Sequence, residues 1–524
     1  MNRKLDWPAL FLFTALLFGA VVRFWPVITN GFPLNDGGMF YTMIRDLKLN
    51  HYLLPEFTSY NFADIPFAYP PLGFYIAASL SDLLPVSELG MLLWLPALVN
   101  TLSILVFYKL AKQILPSRMS AALAVMVYAL SPRAFLWQVM GGGITRAFGM
   151  LFLLLMLGQV TKMLKPPSSA ARTPPREDGK NLALTILFGA GAVLSHPQTA
   201  LHAALGGALI FAFYGRNKRG IISALSTALG VALLTSPWWV TVLSRYGVQP
   251  FISAGQTSQR TLESYLALLR FDGLGDTLFL PILLVALIGI WVTSRRREFF
   301  LIFWAVLAYL IDPRGGDGIA LLPLSMLAGM GLLKLSALIS RSDDEQAEIV
   351  MMKRASQGLV FSLMFYLILV ASIFDFQLVN TSLKSSDLKM IEWVNANVAD
   401  GKTFLLATGR EFSMSDPMQE WFPALTGQYS TTTMQGLEWT LGDRFFTWYD
   451  QLIEFQHCAD VNCVSEWSAR NDIEYDYLIV TIPSENDNNE MVNSLQGLGL
   501  SARTSALHLL VYESENALVF ESAK

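Results

Sequence analysis

The sequence predicts a polytopic α-helical membrane protein followed by a C-terminal extracytoplasmic α/β domain. Hydrophobic residues make up 53% of the 524 residues and charged residues only 15%, whereas soluble domains carry about 25% charged residues. The apolar residues also fall in long runs with few charges, as a helix needs in order to cross a bilayer. From Ser385 onward the hydropathy drops, and helical and strand-like patterns alternate.

Eleven apolar runs are predicted to cross the membrane. They lie near residues 9–29, 90–114, 118–138, 144–163, 182–195, 198–214, 220–243, 276–293, 298–312, 318–340 and 357–376. Basic clusters alternate with these runs, and placing every cluster in the cytoplasm gives one self-consistent path. We therefore expect a multi-pass protein of the plasma or inner membrane.

The segment 69–84 is apolar but does not fit this path, because a span there would invert every later loop. It is short, begins with Tyr69, Pro70 and Pro71, and contains Asp82. We expect a juxtamembrane or re-entrant helix that stays on the outer side of the membrane. A twelfth span is the alternative.

Two domains follow from this division. Residues 1–376 are assigned to the membrane domain, with 30–89 as its first outer loop, and residues 377–524 to the extracytoplasmic domain. In the latter, Ser386 or Asp387 is expected to cap a first helix. Strands are expected at 403–407, 477–482, 507–512 and 517–520.

The cysteines and the charge balance exclude several classes of protein. Cys458 and Cys463 are the only cysteines, and both lie in 377–524. An oxidising compartment favours a disulfide between them; two reduced thiols are the alternative. Two cysteines alone cannot hold a metal cluster.

A net charge of −4 without a basic stripe predicts no nucleic-acid partner. We expect neither a metal ion nor a cofactor.

The first outer loop is the most informative about chemistry. Asp36 follows the first span almost at once, and a helical apolar stripe comes next: Met39, Phe40, Met43, Ile44 and Leu47. The stripe predicts an interfacial helix lying on the membrane surface, with Asp36 at its N-terminus, where the helix dipole favours a carboxylate. A carboxylate there can accept a proton from a hydroxyl or amine; a plain N-cap is the alternative.

The order of these features resembles the GT-C superfamily of membrane glycosyltransferases, in particular its aminoarabinose-transferase and protein O-mannosyltransferase branch. The resemblance rests on one span, Asp36, an amphipathic helix, the Y-P-P-L stretch from Tyr69 to Leu72, and the α/β tail. It implies inverting transfer of a sugar from a polyprenyl-phosphate donor, with Asp36 activating the acceptor. The sequence departs in one place: the branch's D-E pair is Asp36-Gly37 here, so the second acid is missing.

The oligosaccharyltransferase branch is similar in topology but matches less well. That branch carries a W-W-D motif in its tail, whereas Trp238-Trp239 is followed by Val240 here and lies in a span. It also carries an acidic motif in another outer loop, whereas the loop between Val139 and Ile144 is M-G-G-G. Because a hard divalent cation needs several carboxylate oxygens, we expect metal-independent transfer.

A lipid-phosphate donor needs cations near the outer face of the membrane. The cations near the outer ends of spans, in order of expectation, are Arg314, Arg146, His196 and Arg133. Arg314 leads because it lies in the glycine-rich turn D-P-R-G-G-D-G, which lets a phosphate approach the backbone. The alternative for each cation is an interfacial or ion-paired residue, and Asp312 or Asp317 could pair with Arg314.

Four more residues are expected to contact substrate. Tyr69 belongs to the Y-P-P-L stretch, and Asp46 lies on the polar side of the interfacial helix. Glu420 and Trp421, in the tail, are expected to contact the sugar. The reason is the ring of Trp421, since aromatic rings stack on sugar rings. The alternative for Trp421 is a buried anchor in the core of the tail.

The leading function is transfer of a hexosyl or pentosyl group from a polyprenyl-phosphate donor to a lipid, glycan or protein acceptor. A transporter or lipid flippase is the first alternative, but it needs ionisable residues deep inside spans, and the sequence shows few. A non-enzymatic envelope assembly protein is the second, and the missing second acid favours it. Membrane lipids are expected as further partners.

Overall fold

The computed structural model describes residues 6–165, 175–256, 274–313, 315–342, 347–482 and 489–523. Helices form the chain up to Val379, and a mixed domain of helices and strands follows. The helices of the first part are α1 (Trp7–Asn30), α2 (Gly38–Leu49), α3 (Leu72–Leu83), α4 (Glu88–Ile114), α5 (Arg118–Leu130), α6 (Leu136–Val139), α7 (Gly143–Leu164), α8 (Pro175–Ser195), α9 (Pro197–Tyr214), α10 (Lys218–Tyr246), α11 (Gln249–Gln256), α12 (Leu274–Arg295), α13 (Phe300–Ile311), α14 (Gly316–Ser340), α15 (Ala347–Met352) and α16 (Arg354–Val379).

The chain is a multi-pass membrane protein. Within the described ranges, seven helices are long and apolar enough to cross a membrane: α1, α4, α7, α10, α12, α14 and α16. The α5 helix and the segment Pro132–Val139 add an eighth crossing if they form one span, which is bent by 84°. A helix is present at each of the eleven predicted runs; the number that cross the bilayer stays a prediction.

The helix α3 corresponds to the segment that did not fit the predicted path. It has 12 residues, which at 1.5 Å per residue is about 18 Å, well short of the ~30 Å hydrocarbon core. It packs closely on the start of α7, where a Cβ on Gly73 would lie 2.6 Å from the carbonyl oxygen of Ile144. The length and this contact favour a short juxtamembrane helix over a twelfth span.

The helix α2 forms where the apolar stripe predicted it, but its environment differs from the prediction. Met39, Met43, Ile44 and Leu47 are at most 1% exposed. They share a hydrophobic core with the C-terminal domain, including Trp421. The prediction of a helix lying on the membrane surface is therefore wrong, because the stripe packs against protein.

The C-terminal domain is a layered α/β domain, as predicted. Its elements are α17 (Ser385–Asn397), β1 (Thr403–Ala407), α18 (Pro417–Thr426), β2 (Tyr429–Ser430), α19 (Arg444–Gln456), α20 (Val461–Arg470), β3 (Tyr477–Thr481), α21 (Asn489–Thr504), β4 (His508–Glu513) and β5 (Ala517–Ser522). The five strands lie in the order β2-β1-β3-β5-β4. Strand β1 is parallel to β2 and β3, and β5 is antiparallel to β3 and β4.

The sequence located most of this domain. All four predicted strands are confirmed, with ends that differ by at most two residues, and β2 is an addition. The expected disulfide joins Cys458 and Cys463, whose Cα atoms are 5.5 Å apart. Asp387 contributes to the N-terminal cap of α17. Its carboxylate accepts a hydrogen bond of 2.8 Å from the backbone N–H of Lys384.

A fully buried cation holds three membrane helices together. Arg23 of α1 is 0% exposed and donates to the carbonyl oxygens of Gly19 at 2.8 Å and Ala129 at 2.7 Å. Its Nε donates to the side chain of Asn100, and the guanidinium lies 5.4 Å from the ring centre of Phe135. Since an intramembrane charge is costly without partners, these contacts explain how α1 tolerates it and bind α1 to α4 and α5.

The topology can be tested with single introduced cysteines, because both native cysteines are in the disulfide. Asp400 and Lys218 are both exposed, and the alternation of basic clusters places them on opposite sides of the membrane. We expect Asp400→Cys to react with an impermeant maleimide in intact cells and Lys218→Cys to react only after permeabilisation. The reverse pattern would show that the predicted orientation is wrong.

Candidate active site

Asp36 lies at the junction of the first membrane helix, α7 and the C-terminal domain. Its side chain is 6% exposed. One carboxylate oxygen, Oδ1, accepts a hydrogen bond of 2.9 Å from the backbone N–H of Gly142. The other, Oδ2, lies 2.6 Å from Nη2 of Arg146 in an ion pair. The carboxylate is thus held at the positive end of the α7 dipole by one backbone donor and one cation.

The glycines before α7 make this approach possible. A Cβ on Gly141 would lie 1.9 Å from the carbonyl oxygen of Asp36, and a Cβ on Gly142 would lie 2.5 Å from its Oδ2. Any larger residue would push the carboxylate away from the helix. The M-G-G-G loop has no acid of its own, but in the structure it receives the carboxylate of Asp36 from another segment.

The N-terminus of α2 is capped from a distant part of the chain. Gly37 is the N-cap residue, and no side chain of its own caps the helix. Instead, Oε1 of Glu420 accepts hydrogen bonds of 3.1 Å from the N–H groups of Gly37 and Met39. The alternative reading of Asp36 as a plain N-cap is therefore wrong, because Asp36 turns toward α7 and Glu420 takes the cap position.

Glu420 brings a second acid beside Asp36, although the sequence has glycine after Asp36. Glu420 is 2% exposed. Burial first, and then the neighbouring Asp36 carboxylate, raise the pKa of Glu420 from its ordinary 4.5 to about 8. At neutral pH Glu420 is therefore protonated, so it does not repel the adjacent carboxylate.

The residue next to Glu420 anchors the C-terminal domain to the first outer loop. Trp421 is 0% exposed, and its Nε1 donates a hydrogen bond of 2.8 Å to the carbonyl oxygen of Asn35. Its ring makes an edge contact with Phe32, with ring centres 4.8 Å apart. The Tyr60 hydroxyl donates to the carbonyl oxygen of Glu420 at 2.8 Å. Because the Trp421 ring is completely buried, the structure supports the anchor and not the expected sugar contact.

Two more of the expected substrate contacts lie beside the start of α7. The Tyr69 hydroxyl is 3.5 Å from Oγ1 of Thr145, and its ring centre is 6.3 Å from that of His196. Among the described residues, Nδ1 of His196 and Oε2 of Glu420 are buried without a hydrogen-bond partner. Both atoms therefore have hydrogen-bonding capacity that the described residues do not use.

The remaining expected residues do not join this cluster. Arg133 faces Asp317, with an N–O distance of 3.9 Å, and lies over the ring of Phe279. Both carboxylate oxygens of Asp46 are occupied, by the hydroxyl and N–H of Ser59 and by the hydroxyl of Thr58. The structure thus gives Asp46 a loop-stabilising contact. Arg314 lies outside the described residues, so its expected phosphate contact stays a prediction.

A search of the described residues finds no group of three or more His, Cys, Asp or Glu side chains that could hold a metal ion.

The architecture is the GT-C fold of membrane glycosyltransferases, as the resemblance in the sequence implied. The same fold occurs in ArnT of Cupriavidus metallidurans, solved with bound undecaprenyl phosphate. That structure matches 99% of this chain and 98% of its own, with 15% identity and a TM-score of 0.57.

The archaeal oligosaccharyltransferase AglB of Archaeoglobus fulgidus has this fold too. In complex with an inhibitory peptide and a dolichol-phosphate, it matches 99% of this chain and 74% of its own, with 13% identity and a TM-score of 0.53. By sequence, residues 52–311 match the model of a family of unknown function, DUF6541. No curated protein sequence matches the chain significantly.

We expect Gly141→Ala to destabilise the protein, because the added Cβ meets the backbone carbonyl of Asp36 at 1.9 Å. A forced backbone shift of this kind costs about 1–3 kcal/mol. The matched control is Gly358→Ala, a helical position where a Cβ meets nothing within 4 Å; it should be neutral or slightly stabilising. The two glycine variants are compared by their unfolding midpoints in detergent. Equal midpoints would contradict the close approach of Asp36 to this loop.

The raised pKa of Glu420 makes stability depend on pH. Between about pH 4.5 and 8 the folded protein keeps a proton on Glu420 that the unfolded chain releases, so stability should fall as pH rises. Glu420→Gln keeps the acceptor oxygen and cannot ionise. The unfolding midpoint of Glu420→Gln, measured relative to that of the wild type, should therefore increase from pH 5 to pH 8.

The exposed Glu454→Gln serves as the control and should show a constant difference from the wild type. A Glu420→Gln difference that also stays constant over this pH range would mean that Glu420 has no raised pKa.

Proposed function

We propose that this protein is a glycosyltransferase that moves a sugar from a polyprenyl-phosphate donor to an acceptor at the outer face of the membrane. The observation that carries the proposal is the Asp36 carboxylate, held on the N-terminus of α7 by Gly142 and Arg146. The fold supports it, since ArnT and AglB have been solved with undecaprenyl phosphate and a dolichol-phosphate. Here the donor sugar is a hexose or pentose and the acceptor a lipid, glycan or protein.

In this mechanism Asp36 is the general base. Its carboxylate takes the proton of an acceptor hydroxyl or amine, and the freed electron pair attacks the anomeric carbon of the sugar. The bond from that carbon to the phosphate oxygen breaks on the opposite face, so the configuration inverts. The polyprenyl phosphate leaves with the electron pair. No metal ion is required for these steps.

Cations balance the charge that builds on the departing phosphate. Arg146 holds Asp36 through Nη2 at 2.6 Å and the carbonyl oxygen of Trp137 through Nη1 at 3.2 Å. A guanidinium has five N–H donors, so Arg146 can keep both bonds and still bind a phosphate oxygen. Arg314 is proposed as the second phosphate ligand.

Glu420 is proposed as a positioning residue. Protonated at neutral pH, it holds the N–H groups of Gly37 and Met39 without opposing the charge of Asp36. Its second oxygen and Nδ1 of His196, both buried, are suited to bind sugar hydroxyls. The Tyr69 ring, with its centre 6.3 Å from that of His196, supplies an aromatic surface for the sugar.

The test compares Asp36→Asn with the wild type, using a panel of polyprenyl-phosphate hexoses and pentoses. Asparagine keeps the size of the side chain but cannot accept the proton, and loss of a general base lowers the rate by about 10²–10⁴-fold. The matched control is Asp64→Asn in the same loop, because Asp64 is exposed and has a φ of 46° that asparagine tolerates.

We expect full activity in Asp64→Asn and severe loss in Asp36→Asn at equal unfolding midpoints. A folded, fully active Asp36→Asn would remove Asp36 from the mechanism. A wild-type protein that transfers no sugar from any donor of the panel would contradict the glycosyltransferase proposal and favour the transporter or assembly alternatives.

A further inference from the structure

A cavity lies at the end of the helix bundle remote from Asp36. It has a volume of about 1140 Å³. The helix α7 begins beside Asp36 and has 22 residues, so its other end is about 33 Å away at 1.5 Å per residue. Lys162, near that end, and Lys165, just after it, line the cavity. The cavity therefore lies at the opposite face of the membrane, which the basic loops predict to be cytoplasmic.

The lining of this cavity is strongly basic. Its cations come from α4, the end of α7, the start of α8 and the loop after α12: Lys112, Lys162, Lys165, Lys180 and Arg297. Among the described residues, Glu298 is the one carboxylate in the lining. Several cations converging on one space produce a local positive potential that attracts an anion, and basic pockets between membrane helices bind anionic head groups.

Two amide oxygens add a second chemical feature. Gln113 and Gln159 both line the cavity, and within the described ranges their Oε1 atoms are buried without a hydrogen-bond partner. An amide oxygen accepts hydrogen bonds and cannot bind phosphate oxygens. The cavity is thus suited to a ligand that carries hydroxyl groups as well as a negative charge.

The cavity continues into an aromatic surface. Phe213 and Phe300 line it, and the Phe213 ring centre is 6.0 Å from that of Phe303. Phe213 is 41% exposed and Phe303 is 51% exposed, on helices that face the surroundings of the bundle. An apolar path leading away from a basic cavity suits acyl chains, and a small soluble phosphate would gain nothing from it.

We propose that this cavity binds the head group of an anionic phospholipid with free hydroxyls, of the phosphatidylglycerol type, from the leaflet opposite Asp36. The lysines and Arg297 neutralise the phosphodiester, and Gln113 and Gln159 accept hydrogen bonds from the head-group hydroxyls. The acyl chains lie along Phe213 and Phe303. This site is independent of the proposed glycosyl transfer.

The experiment measures lipid binding by native mass spectrometry on the purified full chain. The probes are phosphatidylglycerol and phosphatidylcholine with identical acyl chains, and the variant is Lys112→Gln with Lys162→Gln. Both lysines are exposed, so their loss should not unfold the protein. Since each cation near a charged lipid contributes a factor of about five, we expect about 25-fold weaker phosphatidylglycerol binding in the double variant.

The matched control is Lys109→Gln with Lys218→Gln, which removes two exposed cations of the same face that do not line the cavity. It should bind phosphatidylglycerol like the wild type. Arg297→Gly is a second variant: Arg297 has a φ of 58°, a conformation that glycine adopts without strain. It should keep the unfolding midpoint and still weaken binding.

Three results would overturn the proposal. Equal losses of phosphatidylglycerol binding in the cavity and control variants would show that general surface charge causes the effect. Equal binding of phosphatidylcholine would exclude recognition of an anion. Displacement of the lipid by soluble glycerol 1-phosphate at a similar concentration would identify the cavity as a site for a soluble phosphate.

Discussion

The side-chain carboxyl group of Glu420 is the contact on which the part of the protein around Asp36 depends. It accepts the N–H groups of Gly37 and Met39, which would otherwise be buried donors without a partner, at about 1–3 kcal/mol each. Trp421 follows at once and fixes the backbone at Asn35. The two residues between which Asp36 lies are therefore both held by one short helix of the C-terminal domain. In the membrane part, Gly142 and Arg146 hold the Asp36 side chain, and the C-terminal domain adds the contacts to the backbone on either side of it.

Each end of the helix α7 carries a side-chain charge that matches the helix dipole. Its N-terminus receives the carboxylate of Asp36, and at its other end Lys165 donates to the carbonyl oxygens of Gln113 and Ile114. An anion at the N-terminus and a cation at the C-terminus both match the helix dipole. One membrane helix thus supports a carboxylate site at one face and a cationic cavity at the other.

The sequence predicted the parts of this structure that follow from local patterns. Hydropathy located the membrane helices, short strand-like runs located four strands, and the position of Asp36 after the first span marked it as a candidate base. It could not predict the contacts of Glu420 with Gly37 and Met39, because no local pattern links residues that far apart. The environment of α2 was predicted wrongly for a related reason. An apolar helix face has the same sequence pattern whether lipid or a distant domain covers it.

The cap of α2 also has a consequence for biosynthesis. Glu420 follows Gly37 by 383 residues, which at 5–20 residues per second takes roughly 20 to 80 s to synthesise. During that time the loop containing Asp36 has already emerged, while the helix that fixes it does not yet exist. A nascent or truncated chain can therefore insert its first helices while the N–H groups of Gly37 and Met39 still lack this acceptor. The cap of α2 forms only once the chain has been translated past Glu420.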